Sequence, residues 1–407
     1  MLHTSIARNH AAALGVASLL CVFATACRRT DFPQYPSSYR EYAYVSNGAG
    51  NSVTVLDLVN RRQDRVIAVG QQPTGLAVNP VTNEVYAVNT QPALGDGSVS
   101  VIDATTNRVT AVIPVRHLPY FVDVDADGKR AYVANSGSNN VSVIDLKKRR
   151  EIAVIGAGEQ PGLARIAQDM RSLVVTNRGS GSISVYAVDN ANDAKPLRLR
   201  ATFAGCTGAT DAVILPDSSK AFITCTGANK LMVISLAAAP DSWAAKQDSA
   251  SMTDHLLTLL DVGKTPVNLA LKPDTGEVFV SNFDSDSISE VSTWTNEVSS
   301  TYTIGAHPVF GVVSADNTTL WVSNFGADTV AAYSIDDGKM VHVVHVGSGP
   351  DALAFSAEGH LLLAADAKSG DISVVRTQES RGPALFDMWP SGGQPNAIVV
   401  KAFDAKK

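Results

Sequence analysis

Short runs that alternate between apolar and polar residues recur along almost the whole chain. Examples are Ser52-Val-Thr-Val-Leu-Asp57, Ser98-Val-Ser-Val-Ile-Asp103 and Asn140-Val-Ser-Val-Ile-Asp145. Alternation at period two in β-branched residues predicts strands with a buried face. A Gly/Asn/Asp/Ser turn precedes each run, and a short, mostly aromatic-led phrase precedes the turn. The phrase reads Tyr44-Val-Ser-Asn47, Tyr86-Ala-Val-Asn89, Tyr132-Val-Ala-Asn135, Val174-Val-Thr-Asn177, Phe222-Ile-Thr-Cys225, Phe279-Val-Ser-Asn282, Trp321-Val-Ser-Asn324 and Leu363-Ala-Ala-Asp366. Its steps are 42, 46, 42, 48, 57, 42 and 42 residues. A looser third strand follows each run, as in Arg65–Val69 and Val109–Val115. A proline then marks entry into a fourth apolar strand, as in Gln72-Pro-Thr-Gly-Leu-Ala-Val78 and Gln160-Pro-Gly-Leu-Ala-Arg-Ile166.

Four strands in a repeat of this period predict an all-β fold, a β-propeller. The spacing inside the repeat is stricter than the repeat itself. Thirteen residues separate Pro73 from Tyr86, Pro119 from Tyr132, Pro161 from Val174, Ala209 from Phe222, Pro266 from Phe279, Pro308 from Trp321 and Pro350 from Leu363. That two-strand unit is the inner hairpin of a blade. Variation in length falls in outer loops, where insertions are tolerated. Pro395 has no partner phrase after it, and Tyr44 has no Pro-led strand before it. The two ends therefore complete one another, with Asn396–Val400 pairing with the strand at Tyr44. This closes the ring and hides two edges. The count predicts eight four-stranded blades. Seven is the alternative, with the fifth or last copy serving another purpose.

These phrases resemble those of the YVTN-repeat, or YncE-like, propeller family over about residues 42–403. The resemblance implies the fold and says little about activity. The family is similar, more distantly, to the haem-d domain of nitrite reductases and to the lactonase propellers. A shared fold does not fix function.

A formal net charge of −6 argues against a nucleic-acid footprint. The basic cluster Lys147-Lys-Arg-Arg150 reads as a solvated hairpin end. Residues 1–26 read as a signal peptide: Arg8 supplies the positive region, Ala11–Ala26 is apolar and too short for a span, and Ala24-Thr-Ala-Cys27 resembles a lipoprotein processing box. The usual box has Leu where Ala24 stands, and ordinary cleavage after Ala26 is the alternative to lipidation of Cys27. Residues 27–41 read as a tether, and 42–403 as the propeller. The expected location is the periplasm or cell envelope, with membrane contact only through the lipid. Cys206 and Cys225 fall at the same end of one blade, so an exported chain predicts a disulfide between them. Free thiols or a metal or redox pair are the competing readings.

Strand order places the phrase ends and the blade-to-blade loops on one face, here the upper face. Asn47, Asn89, Asn135, Asn177, Cys225, Asn282, Asn324 and Asp366 form a column there. Its recurrence in nearly every blade predicts a structural role. Departures from the repeat are the better functional candidates. Phe283 and Phe325 replace small or polar residues beside Asp284, Asp286 and Asp328, as a binding patch or as plugs between blades. His117 and His307 enter inner strands on the same face, three blades apart by strand count. Arg116 and Arg178 are candidate anion contacts near the mouth. Asp284-Ser-Asp286 lacks the spacing of a Ca²⁺ loop. No nucleophile elbow, phosphate loop or C-x-x-C-H haem motif is present, and no metal or cofactor is predicted. The insertion at Ala237–Leu260, with Trp243, lengthens the fifth blade toward the lower face.

The chain thus reads as an exported non-enzymatic binding or scaffold module that presents loop faces to a protein, glycan or small ligand. A periplasmic enzyme or cofactor carrier, similar to the haem-d, quinoprotein or lactonase propellers, is the alternative. It requires His117, His307, Asp284 or Asp366 to converge on the axis. A structural surface-layer role is a third reading.

Overall fold

The fold was analysed in a computed structural model, which describes residues 32–91, 95–247, 249–378 and 382–405. The chain divides into two compact units, residues 1–39 and 40–407. In the first, the rings of Tyr35 and Tyr39 stack with centroids 4.6 Å apart. The expected signal peptide, residues 1–26, and Cys27 lie outside the described residues.

The alternating runs form strands as their pattern dictates. Among the described residues thirty-two strands, β1 to β32 in chain order, make eight four-stranded antiparallel sheets. Blade 1 joins β1 (Tyr39–Asn47), β2 (Ser52–Asp57) and β3 (Arg62–Ala68) to the last strand, β32 (Pro395–Asp404), in the order β3-β2-β1-β32. The ring is therefore closed by the two ends of the chain, and the count is eight, not seven. Blades 2 to 8 each use four consecutive strands. Their innermost strands are β4 (Pro73–Val78), β8 (Pro119–Val124), β12 (Pro161–Ile166), β16 (Ala209–Ile214), β20 (Pro266–Leu271), β24 (Pro308–Val313) and β28 (Pro350–Phe355). These seven and β32 pack side by side around the axis.

The core lies between blades. Tyr44 of blade 1 packs with Leu76, Val85 and Ala87 of blade 2. Tyr132 packs with Ala164, Leu173 and Val175 of blade 4, and Phe279 with Leu320 and Val322 of blade 7. Where an aromatic leads the phrase, as in six of the eight copies, it is thus a wedge into the next blade. Truncating such a ring costs about 3–5 kcal/mol.

The Asn column is buried and clamps the upper hairpins. Asn47 Nδ2 donates to Ser52 Oγ and Thr54 Oγ1 at 3.1 and 2.9 Å, and Asn177 Nδ2 to Ser182 and Ser184 at 3.2 and 3.0 Å. In blades 1, 2, 4, 6 and 7 a glycine three residues before the inner-strand proline lies against this Asn, and blade 3 has Arg116 in that place. A Cβ at Gly70 would stand 2.6 Å from the Asn89 side chain, and one at Gly305 2.3 Å from that of Asn324. Blade 5 replaces both members of the contact with cysteine. Cys206 takes the glycine position, Cys225 takes the Asn position, and the two form a disulfide. The insertion spans 236–254, between the third and fourth strands of blade 5. It is pinned by Arg200 and Asp254, whose carboxylate also accepts the Ala237 N–H at 2.9 Å. Trp243 on its surface is exposed.

Closing a 19-residue loop contributes about 3 kcal/mol on the chain-entropy model. Replacing both cysteines by serine is expected to lose about that much in chemical denaturation. The pair Cys206→Gly with Cys225→Asn, which restores the contact of the other blades, is expected to retain more stability than the double serine variant. Equal midpoints for the two variants would contradict this account of the pair.

Candidate functional site: the propeller axis

Each inner strand has one edge bonded to its own blade and one edge facing the axis. The N–H and C=O groups on the free edge need partners, and side chains of the preceding blade supply several. Asn396 Nδ2 donates to Pro73 O at 2.9 Å and Thr74 Oγ1 to Tyr120 O at 2.9 Å. Asp123 accepts from Ile166 N at 3.1 Å, and Arg165 Nε donates to Ala212 O at 3.3 Å. Asp211 accepts from Leu269 N at 2.9 Å, and Asn268 Oδ1 from Gly311 N at 2.9 Å. These stitches run in one direction from blade 1 to blade 7. Among the described residues no such stitch links the inner strands of blades 7 and 8, or of 8 and 1.

Asp351 stands in that gap, one residue into β28. Its carboxyl makes no hydrogen bond within the described residues. Burial alone pushes its carboxyl up to about 6. Burial also raises Asp123 and Asp211, with Arg165 opposing the shift in each case. None of these four charged residues stands out in the sequence reading, because they lie in runs scored as apolar strands. The available signal was a charge at an inner-strand position that carries none in most other blades.

The upper rim carries the residue that follows each phrase. Thr90 and Thr226 there donate to the backbone of the next blade, to Pro119 O at 2.9 Å and Pro266 O at 2.6 Å. Where the rim departs from small polar residues, stacked pairs replace these bonds. The Arg178 guanidinium lies 4.2 Å over the Tyr120 ring, which is exposed. Phe283 stacks on His307 with centroids 4.4 Å apart, and Lys368 Nζ lies 4.1 Å over Phe325. Both phenylalanines therefore bridge to the following blade and keep part of their rings open to solvent.

The acidic candidates are engaged in turns. Asp286 and Asp328 adopt left-handed backbone, with φ of 54° and 55°. Each accepts the N–H of the residue before the next inner strand, from His307 and Gly349, both at 2.9 Å. Asn51, Asn139 and Asn229 make the same latch in other blades. Asp284 accepts from Thr265 Oγ1. Arg116 pairs with Glu151 at 2.5 Å. His117 ends β7 (Arg108–His117), the outer strand of blade 2, just before β8, and His307 precedes β24; the two positions are four blades apart rather than three, because four inner-strand steps separate β8 from β24. They stand across the ring from one another. The His117 ring bonds the Gly95 carbonyl at 2.7 Å, and the His307 ring bonds that of Phe283 at 3.0 Å. Among the described residues no three His, Cys, Asp or Glu side chains gather to hold a metal.

A sequence family described as lactonase, 7-bladed β-propeller, matches residues 311–399. The YncE protein of Salmonella typhi is 34% identical over 94 residues, which is 23% of this chain and 25% of that protein. Over this stretch the chain is a distant YncE-like homologue. The match thus spans about a quarter of the length of that curated relative. Among solved structures, dihydro-heme d1 dehydrogenase NirN in complex with DHE superposes with a TM-score of 0.69 at 17% identity, covering 94% of this chain and 78% of NirN. The periplasmic gluconolactonase PpgL of Pseudomonas aeruginosa gives 0.59 at 16%, covering 91% and 100%. These likenesses establish the propeller fold. The ring has eight blades where the family description has seven.

Blade 8 also carries an acid in the Asn column. Asp366 is fully buried, and one of its oxygens accepts from Ser373 N and Oγ at 3.1 and 2.7 Å. Burial, reinforced by the neighbouring Asp371, pushes its carboxyl up to about 8. At neutral pH it is a neutral acid in the place of an amide. The unfolded chain releases this proton near about pH 3.9. Between that value and 8 the folded state binds more protons, so this group's contribution to stability falls as pH rises. Asp366→Asn is expected to be more stable than the parent at pH 7 by on the order of a few kcal/mol. The difference should vanish below about pH 4. A difference that does not change with pH in denaturant titrations would contradict the neutral-acid assignment.

Proposed function

We propose that this protein is an exported, non-enzymatic binding propeller, held at the membrane by a lipid on Cys27, whose upper mouth takes a small ligand. The observation that carries this reading is the contrast at the rim. The rim threonines Thr90 and Thr226 are used up by blade-to-blade bonds, whereas Arg178 on Tyr120 and the Asp351 carboxyl are not. Tyr120 and Asp351 occupy the same position of β8 and β28, one residue past the proline, three inner-strand steps apart around the ring. A ligand with a flat or anionic group for the Arg178–Tyr120 shelf and an N–H or O–H donor for Asp351 matches that pair. The Cys206–Cys225 disulfide supports an oxidising compartment.

One observation favours a second reading, a lactone-processing enzyme. A carboxylate with a pKa near 6 on an innermost strand is suited to general-base work. The match of residues 311–399 to the lactonase family points the same way.

Native mass spectrometry of the mature chain purified from its own envelope tests the binding reading. The expected result is a retained small molecule, which Arg178→Ala and Asp351→Asn each weaken by about tenfold. Binding of that molecule should strengthen as pH rises through about 6, as Asp351 ionises, and Asp351→Asn should flatten this profile. Turnover of aldonolactones that falls away below pH 6 and is abolished in Asp351→Asn would replace the binding reading with the enzyme.

A further inference from the structure

Blades 6 and 7 depart from the repeat twice at the upper mouth. The first departure is on the innermost strands. The residue after the proline stands outside the hairpin register in β4, β8, β12, β20, β24 and β28. A bulge of this kind re-aims its side chain. At the same position in blades 1 and 2 the side chain stitches, Asn396 to Pro73 O and Thr74 to Tyr120 O. Blades 6 and 7 carry Val267 and Val309 there, the only aliphatic residues at this position. A valine has no group with which to stitch. Neither one belongs to the apolar cores that flank its blade, and both are partly exposed.

The second departure is on the rim. Phe283 and Phe325 are the only aromatic residues that directly follow a phrase. The Phe283 ring stacks on His307, two residues before Val309. The Phe325 ring lies against Gly349, two residues before Asp351, where a Cβ would stand 3.1 Å from its Cε2. Each ring thus reaches the loop that leads into the next inner strand. β20, β24 and β28 are neighbours around the axis. Val267, Phe283, Val309 and Phe325 therefore follow one another from blade to blade, and the series ends at Asp351.

An apolar arc of this kind, with a few polar groups beside it, suits a molecule with an apolar body. The polar groups are the Asp351 carboxyl and the Arg178 guanidinium, which makes no hydrogen bond or ion pair within the described residues. A role as plugs between blades would account for the phenylalanines. It leaves two valines outside the cores, at a position where other blades stitch. We infer that the ligand of the upper mouth is amphipathic, with an aromatic or branched apolar body seated on Val267, Phe283, Val309 and Phe325. This rests on the upper-mouth reading and adds the class of ligand, because a wholly polar solute would leave the arc uncovered.

Fluorescence titration of the mature chain with 8-anilinonaphthalene-1-sulfonate tests the arc. The dye combines an aromatic body with an N–H and an anionic group, and a single saturable site is expected. Val267→Thr together with Val309→Thr should weaken it by about tenfold. Threonine already stands at this position in blades 2 and 5, so the fold accepts it. Naphthalene-1-sulfonate should displace the dye, and methanesulfonate, which has the head group without the body, should not. Parent-like affinity in the threonine pair, or equal displacement by the two sulfonates, overturns the arc. If Arg178→Ala and Asp351→Asn weaken the dye in that case, the upper mouth stands as a site for a polar ligand. If neither does, the upper-mouth reading falls with the arc. A dye that does not bind at all overturns the arc alone, since a retained polar ligand would still satisfy the upper-mouth reading.

Discussion

Ring closure is the constraint on which everything else in this molecule rests. The first three strands lack an inner partner until β32 arrives from the far end of the chain. Without that pairing two sheet edges stay open and the eight inner strands have no fixed radius. Once the ring is closed, the wedge aromatics are forced between blades and the free edges of the inner strands are forced to face the axis. The stitches from blade to blade then follow from the need to satisfy those edges. So does the functional geometry: any polar side chain on an inner strand not used in stitching is displayed in the channel.

Stitching and recognition therefore draw on the same residues. Asp123, Asp211 and Asn268 are absorbed by the backbone of the next blade. Arg165 is absorbed as well, with Nε on Ala212 O and an outer nitrogen 3.8 Å from Asp211. Asp351 is not absorbed, and it lies where the series of stitches stops. The same logic separates the rim residues. Thr90 and Thr226 bond across the blade boundary, whereas Arg178 and Phe325 cross it by stacking and leave surface for a ligand.

The fold was legible because it rests on repetition. The phrase period, the 13-residue inner hairpin and the mismatched ends led to eight closed blades, and Cys206 with Cys225 led to the disulfide. The structural role of the Asn column was also legible, since a side chain needed in seven blades for clamping is a poor functional candidate. What stayed hidden depends on relations between blades. Asp286 and Asp328 look like free acids in sequence, yet they make the latch that Asn51 and Asn139 make elsewhere. His117 and His307 share a loop type, but the ring places them on opposite sides. Arg165, Asp123 and Asp351 are masked by the apolar runs around them. Aligning the eight copies on the inner-strand proline exposes them as departures, and it also exposes Cys206 in a glycine position.

The central claim is that the residues released from stitching make the neck of the propeller a ligand site. An experimental structure of the mature chain, purified from its native envelope without added ligand, tests this most directly. The account predicts density for a non-protein molecule in the neck, in contact with Arg178 or Asp351. A neck occupied by ordered water alone, with Asp351 turned to bond the backbone of β32 or β24, would show that the gap in the stitching is closed by the protein itself and would contradict the account.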